Sequence, residues 1–568
     1  PIRLTNSMMR IVVVLLLGIP CRSFVPQRLG VQHRRFHGNV PLQPRDTKTL
    51  YSPQNHCSSE VCDDFIETSS DTQEQSALAQ RLQGGAKPTV WSEFGALAAS
   101  LGDSVVNLGQ GFPDFAPPDF VRVAAYTAIS KDCHQYTRPA GHPPLVNLLA
   151  ERYSSHLGRT IDPMAEVAVT VGCSQALYVS MQCLVKPGDE VVLFEPFFDL
   201  YLGQISMAGG SPRFVPLKPA PPSSSSAWDL DIDALEAAIG PKTCALVLNS
   251  PHNPTGKVFT PDEMKAIAAV VRKWPRIVVV SDEVYKYTVH GGGDVDDTAN
   301  GGESGDIEKS GVKSSSASET AAGHHHFASL PGMFDRTLTL SSAGKTFAVT
   351  GWQVGWIIGP ARLLTDVQTV LPFLQFCAST PMQQALVEVL SQADEPYGGF
   401  DNYYLWLSAI YKRKAALLSR ALEAANLPIL KSEGGYFLTV DVSAVDVPQR
   451  YLDEESPAIE AVTRDWAFCR WLALEHGVLA IPVAPFFSLE SRSKVGSYVR
   501  FAFCKTDATL ERAAERLRKL APQSADAAAA ESIMPLGSNS QGNQRDTDQP
   551  TLRVSASAAA PAASSTTP

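Results

Sequence analysis

The sequence predicts an α/β protein with a mostly parallel sheet. Short runs of apolar and β-branched residues recur along the middle of the chain, helix-compatible stretches separate them, and the chemically unusual residues fall just after the runs. Strands without polar alternation are buried on both faces, as in a parallel sheet covered by helices on each side. Ligands of such sheets bind outside the carboxyl ends of the strands, so the third observation predicts where a site lies.

The chain has 568 residues, more than one ordinary core needs. With 44% hydrophobic and 19% charged residues it has the balance of a globular protein, and a net charge of −10 (48 basic against 58 acidic) excludes a general electrostatic footprint for nucleic acid. Its ten cysteines are scattered, without CxxC pairs or zinc-type Cys/His spacing, so they are read as reduced thiols.

Near the N-terminus, Arg10 precedes the apolar run Ile11 to Leu17, a secretory-type hydrophobic region too short to span a bilayer. After Phe24 come Arg28, Arg34, Arg35 and Arg45, with no acid before Asp46. This order resembles the bipartite presequence of algae with secondary plastids and predicts a plastid-like organelle. A signal peptide with a disordered leader is the alternative, with the secretory pathway, the mitochondrion or the cytoplasm as other destinations. Residues 46 to about 86 are polar and aperiodic, a linker, so 1–87 is expected to be presequence and linker.

The folded part is expected to begin near Pro88. Its strands are EVAVTV (166–171), EVVLFE (190–195), CALVLN (244–249), RIVVVSDE (276–283) and TLTLSS (337–342), with helices in SQALYVSMQCLV (174–185) and PDEMKAIAAVVRKW (261–274). The Gly-, Ser- and Asp-rich stretch 291–326 interrupts this order and predicts a disordered surface insertion. Its terminal His324 to His326 are expected to be solvated, with metal binding the alternative. Ala, Ser, Gln and Pro without periodicity predict a disordered tail over 522–568.

The strand ends carry the candidate site. Val171 is followed by Gly172 and a helix opening with Cys173, Ser174 and Gln175, whose free N–H groups suit a phosphate, although a plain helix cap reads the same way. LVLNSPHNPTGKVF places Asn253 in a loop stiffened by two prolines. VVVSDEVYKY places Asp282 and Tyr285 at the end of a strongly apolar strand, and Lys345 follows TLTLSSAG. An anion cradle, an asparagine, an acid, a tyrosine and a lysine in this order suit pyridoxal 5'-phosphate. That cofactor needs a Schiff-base lysine, an acid on its ring nitrogen and donors to its ring oxygen.

These residues lie in NLGQGFPDF (107–115), QYTRPAGHPPL (135–145), EPFFDLY (195–201), NSPHNPTGKVF (249–259), SDEVY (281–285), SSAGKTFAVTGW (341–352) and YVRFAF (498–503). From Val90 to about Leu520 the chain resembles the fold-type I, class I/II aminotransferases, in particular the kynurenine aminotransferase, glutamine transaminase K and cysteine-conjugate β-lyase branch. The resemblance implies a large doubly wound cofactor domain over 119–392. It also implies a smaller α/β domain from 88–118 and 393–521, with strands in GGYFLTV (434–440) and YVRFAF.

Roles follow from the resemblance residue by residue. Lys345 is the Schiff-base lysine and proton carrier. Asp282 pairs with the ring nitrogen, Asn253 and Tyr285 with the ring oxygen, and Phe198 stacks on the ring. Gly172, Cys173, Ser174 and Ser342 belong to the phosphate cradle, with Tyr136 reaching it from the other subunit of a homodimer. Arg500 holds the substrate α-carboxylate, and Gly111 and Trp91 line the substrate pocket, where a side chain at 111 would strike the substrate. Two positions depart from the pattern: Gln353 replaces the usual Arg or Lys near the phosphate, and Ser174 stands where the branch often has Tyr.

The implied reaction moves the amine of an amino acid (glutamine, methionine, an aromatic amino acid or kynurenine) to a 2-oxo acid. Cysteine-S-conjugate β-elimination at the same residues and a catalytically impaired cofactor-binding module are the alternatives. No metal, nucleic acid or stable membrane insertion is expected.

Overall fold

The computed structural model describes Leu82 and residues 88–220, 228–291 and 323–520. The presequence and linker expected over 1–87 (Leu82 apart), the insertion's interior at 292–322 and the tail at 522–568 lie outside the described residues.

Within them the strands run in chain order as β1 (Val106–Asn107), β2 (Val167–Val171), β3 (Glu190–Glu195), β4 (Ser211–Pro219), β5 (Trp228–Leu230), β6 (Thr243–Asn249), β7 (Val278–Asp282), β8 (Thr337–Ser342), β9 (Val354–Ile358), β10 (Ile429–Leu430), β11 (Phe437–Asp441), β12 (Val478–Leu479), β13 (Ile481–Pro482) and β14 (Tyr498–Ala502). Strands β3 and β8 match the expected runs residue for residue. The segment 276–283 yields a shorter strand. The preceding helix, Pro261–Arg272, stops before Trp274, whose helical conformation Pro275 disfavours.

Eight strands form one sheet in the order β2-β9-β8-β7-β6-β3-β4-β5. The neighbours β3/β4, β3/β6, β6/β7 and β7/β8 are parallel, whereas β9 is antiparallel to β2 and β8, and β5 to β4. Four of the seven pairings are parallel, so the sheet is mostly parallel as expected, with β9 and β5 the antiparallel strands. The reversal of β9 matters for the site. The β8 to β9 connection stays at one end of the sheet, and it carries Lys345.

Burial on both faces explains the apolar runs. In β3, Val191 and Leu193 enter one core while Val192 and Phe194 enter another, and β6 divides in the same way. A second sheet, β10-β11-β14-β13, is antiparallel throughout and pairs Arg500 with Thr439 and Ile481. Strand β1 pairs in parallel with β12, and Ala502 N–H donates to Leu108 O, so the chain just before Gly111 lies against the second sheet. Glu93, in the helix Val90–Leu101, accepts from Arg470 Nη2 (2.6 Å), Trp466 Nε1 (2.9 Å) and Ser456 Oγ (2.6 Å). This half-buried, shared carboxylate ties the start of the folded chain to its last third.

No helix among the described residues is long and apolar enough to cross a membrane.

Candidate active site

A cavity of about 300 Å³ opens where the carboxyl ends of β2, β6, β7 and β8 meet the second sheet, and it is lined by nearly all the expected site residues. Asp282, the last residue of β7, is buried on its floor. Its Oδ2 accepts from Tyr201 Oη at 2.7 Å, and its Oδ1 from Val284 N–H at 3.3 Å and the Cys173 thiol at 3.7 Å. Burial pushes the Asp282 carboxyl above its usual range. A cation placed against it would reverse that shift, the condition for pairing with a charged ring nitrogen.

Lys345 lies in the short helix Ala343–Thr346, and its Nζ donates to Gly111 O at 3.2 Å. Burial lowers its pKa, which favours the neutral amine that can form a covalent bond or take up a proton. Tyr285 is buried at the end of the β7 segment, with its pKa raised mainly by burial, so its hydroxyl is a donor at neutral pH. Asn249 links two strand ends: its Nδ2 donates to Asp282 O at 2.9 Å, and its Oδ1 accepts from Asn253 N–H at 2.7 Å. Asn253 is thereby held beside Arg500.

Arg500 is almost fully buried in β14. Its Nη1 donates to Asn253 Oδ1 (3.1 Å) and its Nη2 to Gly109 O (2.9 Å), while Nε is buried without a partner. The guanidinium lies 4.1 Å from the centre of the Phe437 ring and 5.2 Å from that of Trp91. Burial brings its pKa down to about 10, so it remains a cation at neutral pH. An orphaned donor on a buried guanidinium facing a cavity fits a substrate carboxylate.

The phosphate cradle is neutral. The helix Gly172–Leu184 begins without a capping side chain, and Cys173, Ser174, Ser342 and Gln353 line the cavity beside it. Gly172 adopts φ +69°, its N–H donates to Gln353 O at 2.8 Å, and a β-carbon there would lie 2.5 Å from Gln353 Oε1. Only glycine fits that turn. Gln353 Nε2 donates to Thr350 O at 2.6 Å. Lys345 and Arg500 are the only cations among the lining residues.

Gln353→Arg is therefore expected to tighten cofactor binding. A cation about 4 Å from the phosphate contributes up to about 4 kcal/mol per unit charge at an effective dielectric near 20, and the lost amide contact offsets about 1 kcal/mol. The gain, up to about 100-fold, is read as the dissociation constant of the cofactor from resolved apoenzyme. Unchanged affinity would mean that the charge is supplied from elsewhere.

Of the predicted residues, Trp91, Gly111, Gly172, Cys173, Ser174, Phe198, Asn253, Asp282, Tyr285, Ser342, Lys345, Gln353 and Arg500 come together around this cavity. Tyr136 does not. It is 80% exposed, edge-on to Phe376, and absent from the cavity wall. Gly111 is also constrained within the protein itself, where a β-carbon would meet the Phe437 ring at 2.8 Å.

Sequence reasoning passed over Tyr201, which holds Asp282, and Asp199, whose Oδ2 accepts from Trp91 Nε1 at 2.6 Å and so orients the indole. Both stand in EPFFDLY, from which only Phe198 was assigned a role. Phe437 and Tyr436, the latter donating to Gly111 O at 2.7 Å, gave no signal beyond an apolar strand.

His324 and His326 correct a further expectation. Both are buried, with Nε2 and Nδ1 at 3.2 and 2.6 Å from Glu283 Oε2, so these rings are not solvated. Burial brings the His324 pKa down to about 4. Burial raises Glu283, but the two rings outweigh it and hold the carboxyl well below its usual range.

A half-buried lysine, an acid at a strand end and a glycine turn at a helix start define a pyridoxal-phosphate enzyme of the aminotransferase type. The chain belongs to the class I and II aminotransferases, whose family model matches residues 103–517. It is 38% identical over 445 residues to kynurenine–oxoglutarate transaminase of Dictyostelium discoideum, covering 76% of this chain and 94% of the relative. Among solved structures it resembles Bna3p, a putative kynurenine aminotransferase from Saccharomyces cerevisiae, with TM-score 0.68, 31% identity and 79% and 99% coverage of the two chains. It also resembles YbdL of Escherichia coli, reported with a methionine aminotransferase function, with TM-score 0.64, 29% identity and 79% and 100% coverage. These relatives place the chain in the kynurenine aminotransferase branch and support amino transfer, with no support for β-elimination over it.

The cofactor is pyridoxal 5'-phosphate, and the donor set fits it. Bound there, it serves as the sink for the electron pair released at the substrate α-carbon. Asp282 would hold the ring nitrogen, Asn253 and Tyr285 the ring oxygen, and the Gly172 turn with Ser342 the phosphate. Arg500 would orient the substrate by its carboxylate, and Lys345 would be the covalent anchor and carry the proton that leaves the α-carbon.

Proposed function

We propose that the amino donors have neutral side chains of aromatic, thioether or amide type, the class of kynurenine, phenylalanine, methionine and glutamine. The observation that carries this is the cavity wall: Trp91, Phe198 and Phe437 surround the space beside Arg500, and among the described lining residues the only other cation is Lys345, which is committed to the cofactor and not to a second carboxylate. A charged side chain would be desolvated without a partner, at a cost of several kcal/mol. The names of the relatives from Dictyostelium and Escherichia support the same range. A donor panel against fixed 2-oxo acids tests it. Neutral donors are expected to exceed aspartate and glutamate in kcat/KM by about 100-fold or more. Aspartate as the best donor would overturn the reading.

The working unit is a homodimer in this proposal, with the exposed Tyr136 reaching the phosphate cradle of the other subunit. A fully active monomer would remove Tyr136 from the site.

A further inference from the structure

Outside the active site, one buried cluster joins two histidines and a carboxylate. One ligand atom from each of Glu283, His324 and His326 lies within 4.8 Å of the others. All three side chains are nearly inaccessible. The second oxygen of Glu283 accepts from Ser281 Oγ at 2.9 Å, which orients the carboxylate from behind, as outer partners of metal ligands do. His326 is stacked on His156, with ring centres 5.1 Å apart at 17°, and lies edge-on to Tyr153. His324 Nδ1 is buried without a partner, so that ring has a nitrogen to spare.

We propose that Glu283, His324 and His326 bind one divalent transition-metal ion of the zinc class. Two imidazoles and one carboxylate suit such a borderline cation, whereas Ca²⁺ and Mg²⁺ require mostly oxygen ligands. Bonds of about 2.1 Å to a tetrahedral ion separate its donors by roughly 3.4 Å. The His324 to Glu283 distance of 3.2 Å already suits this, and the His326 contact at 2.6 Å has to widen. The cation that acts on His324, Lys286, has its own contacts: its Nζ donates to Tyr153 Oη at 3.2 Å and lies over the Tyr153 and Tyr287 rings. The ion would pin the segment after residue 322 to the residue that follows Asp282, and so brace the strand end that faces the cofactor. Its role is structural.

The test uses full-length holoenzyme prepared without a histidine tag. Titration with Co²⁺ is expected to saturate at one ion per chain, with a visible d–d band away from the cofactor's absorbance, and Zn²⁺ should displace it and raise the melting temperature. His325→Ala, which alters only the exposed middle ring, should keep the band, whereas Glu283→Gln and the pair His324→Ala/His326→Ala should lose it. Failure of the wild-type protein to take up a stoichiometric ion would overturn the proposal, whatever the variants do. Uptake that survives the double substitution but disappears with His325→Ala would overturn it too.

Discussion

Lys345→Ala is expected to lower turnover by about 10⁴-fold or more, since it removes both the covalent anchor and the group that moves the α-proton. Lys345→Arg should fail almost as badly, although it keeps the charge. A guanidinium remains protonated and can neither accept the proton nor form the bond. The cavity around Nζ is built from Gly111 O and residues that keep their own contacts, so both variants should fold with unchanged circular dichroism. Absorbance of the added cofactor should report non-covalent binding only. Activity within tenfold of wild type in either variant would place the reacting amine elsewhere.

Arg500→Lys is expected to reduce kcat/KM for every amino donor by about 100-fold, mostly through KM. A carboxylate contact by Arg500 would be made in ground and transition states alike, so its loss should remove binding in both. Arg500 spends Nη1 on Asn253 and Nη2 on Gly109 and still has Nε to offer. A lysine has one nitrogen for these three tasks and cannot lie flat on Phe437. Asn253 would lose its fixed orientation as well, so the variant should also weaken contact with the ring oxygen, seen as a shift in cofactor absorbance. An unchanged KM across the donor panel would assign the substrate carboxylate to another group.

Much of the site was legible in the sequence because its residues sit at strand ends, and strand ends are marked by local signals. Apolar β-branched runs located β3, β6, β7 and β8, and the residues after them were the chemical ones. What remained hidden depends on contacts between distant segments. Tyr201 reads as one more aromatic in a helix until it donates to Asp282, 81 residues away. Phe437 reads as a strand residue until it bounds Gly111 and carries Arg500. His324 and His326 read as polar residues in a Gly- and Ser-rich stretch, because composition records no partner. Glu283, 41 and 43 residues earlier in the chain, lets them be buried.

The sequence by itself determined the α/β class, the family, the order of the reactive groups and the unusual Gln353. The class is written in the periodicity of short apolar runs, and the family, with the departure at Gln353, in the resemblance of short motifs to those of known aminotransferases. Only the tertiary structure decided that β9 runs antiparallel between β2 and β8, that Lys345 and Arg500 are the only cations lining the cavity among the described residues, and that Glu283 gathers two histidines into the core. The physical reason is the same in each case. Strand direction, net local charge and burial are properties of neighbours in space, and packing chooses those neighbours from segments far apart in the chain.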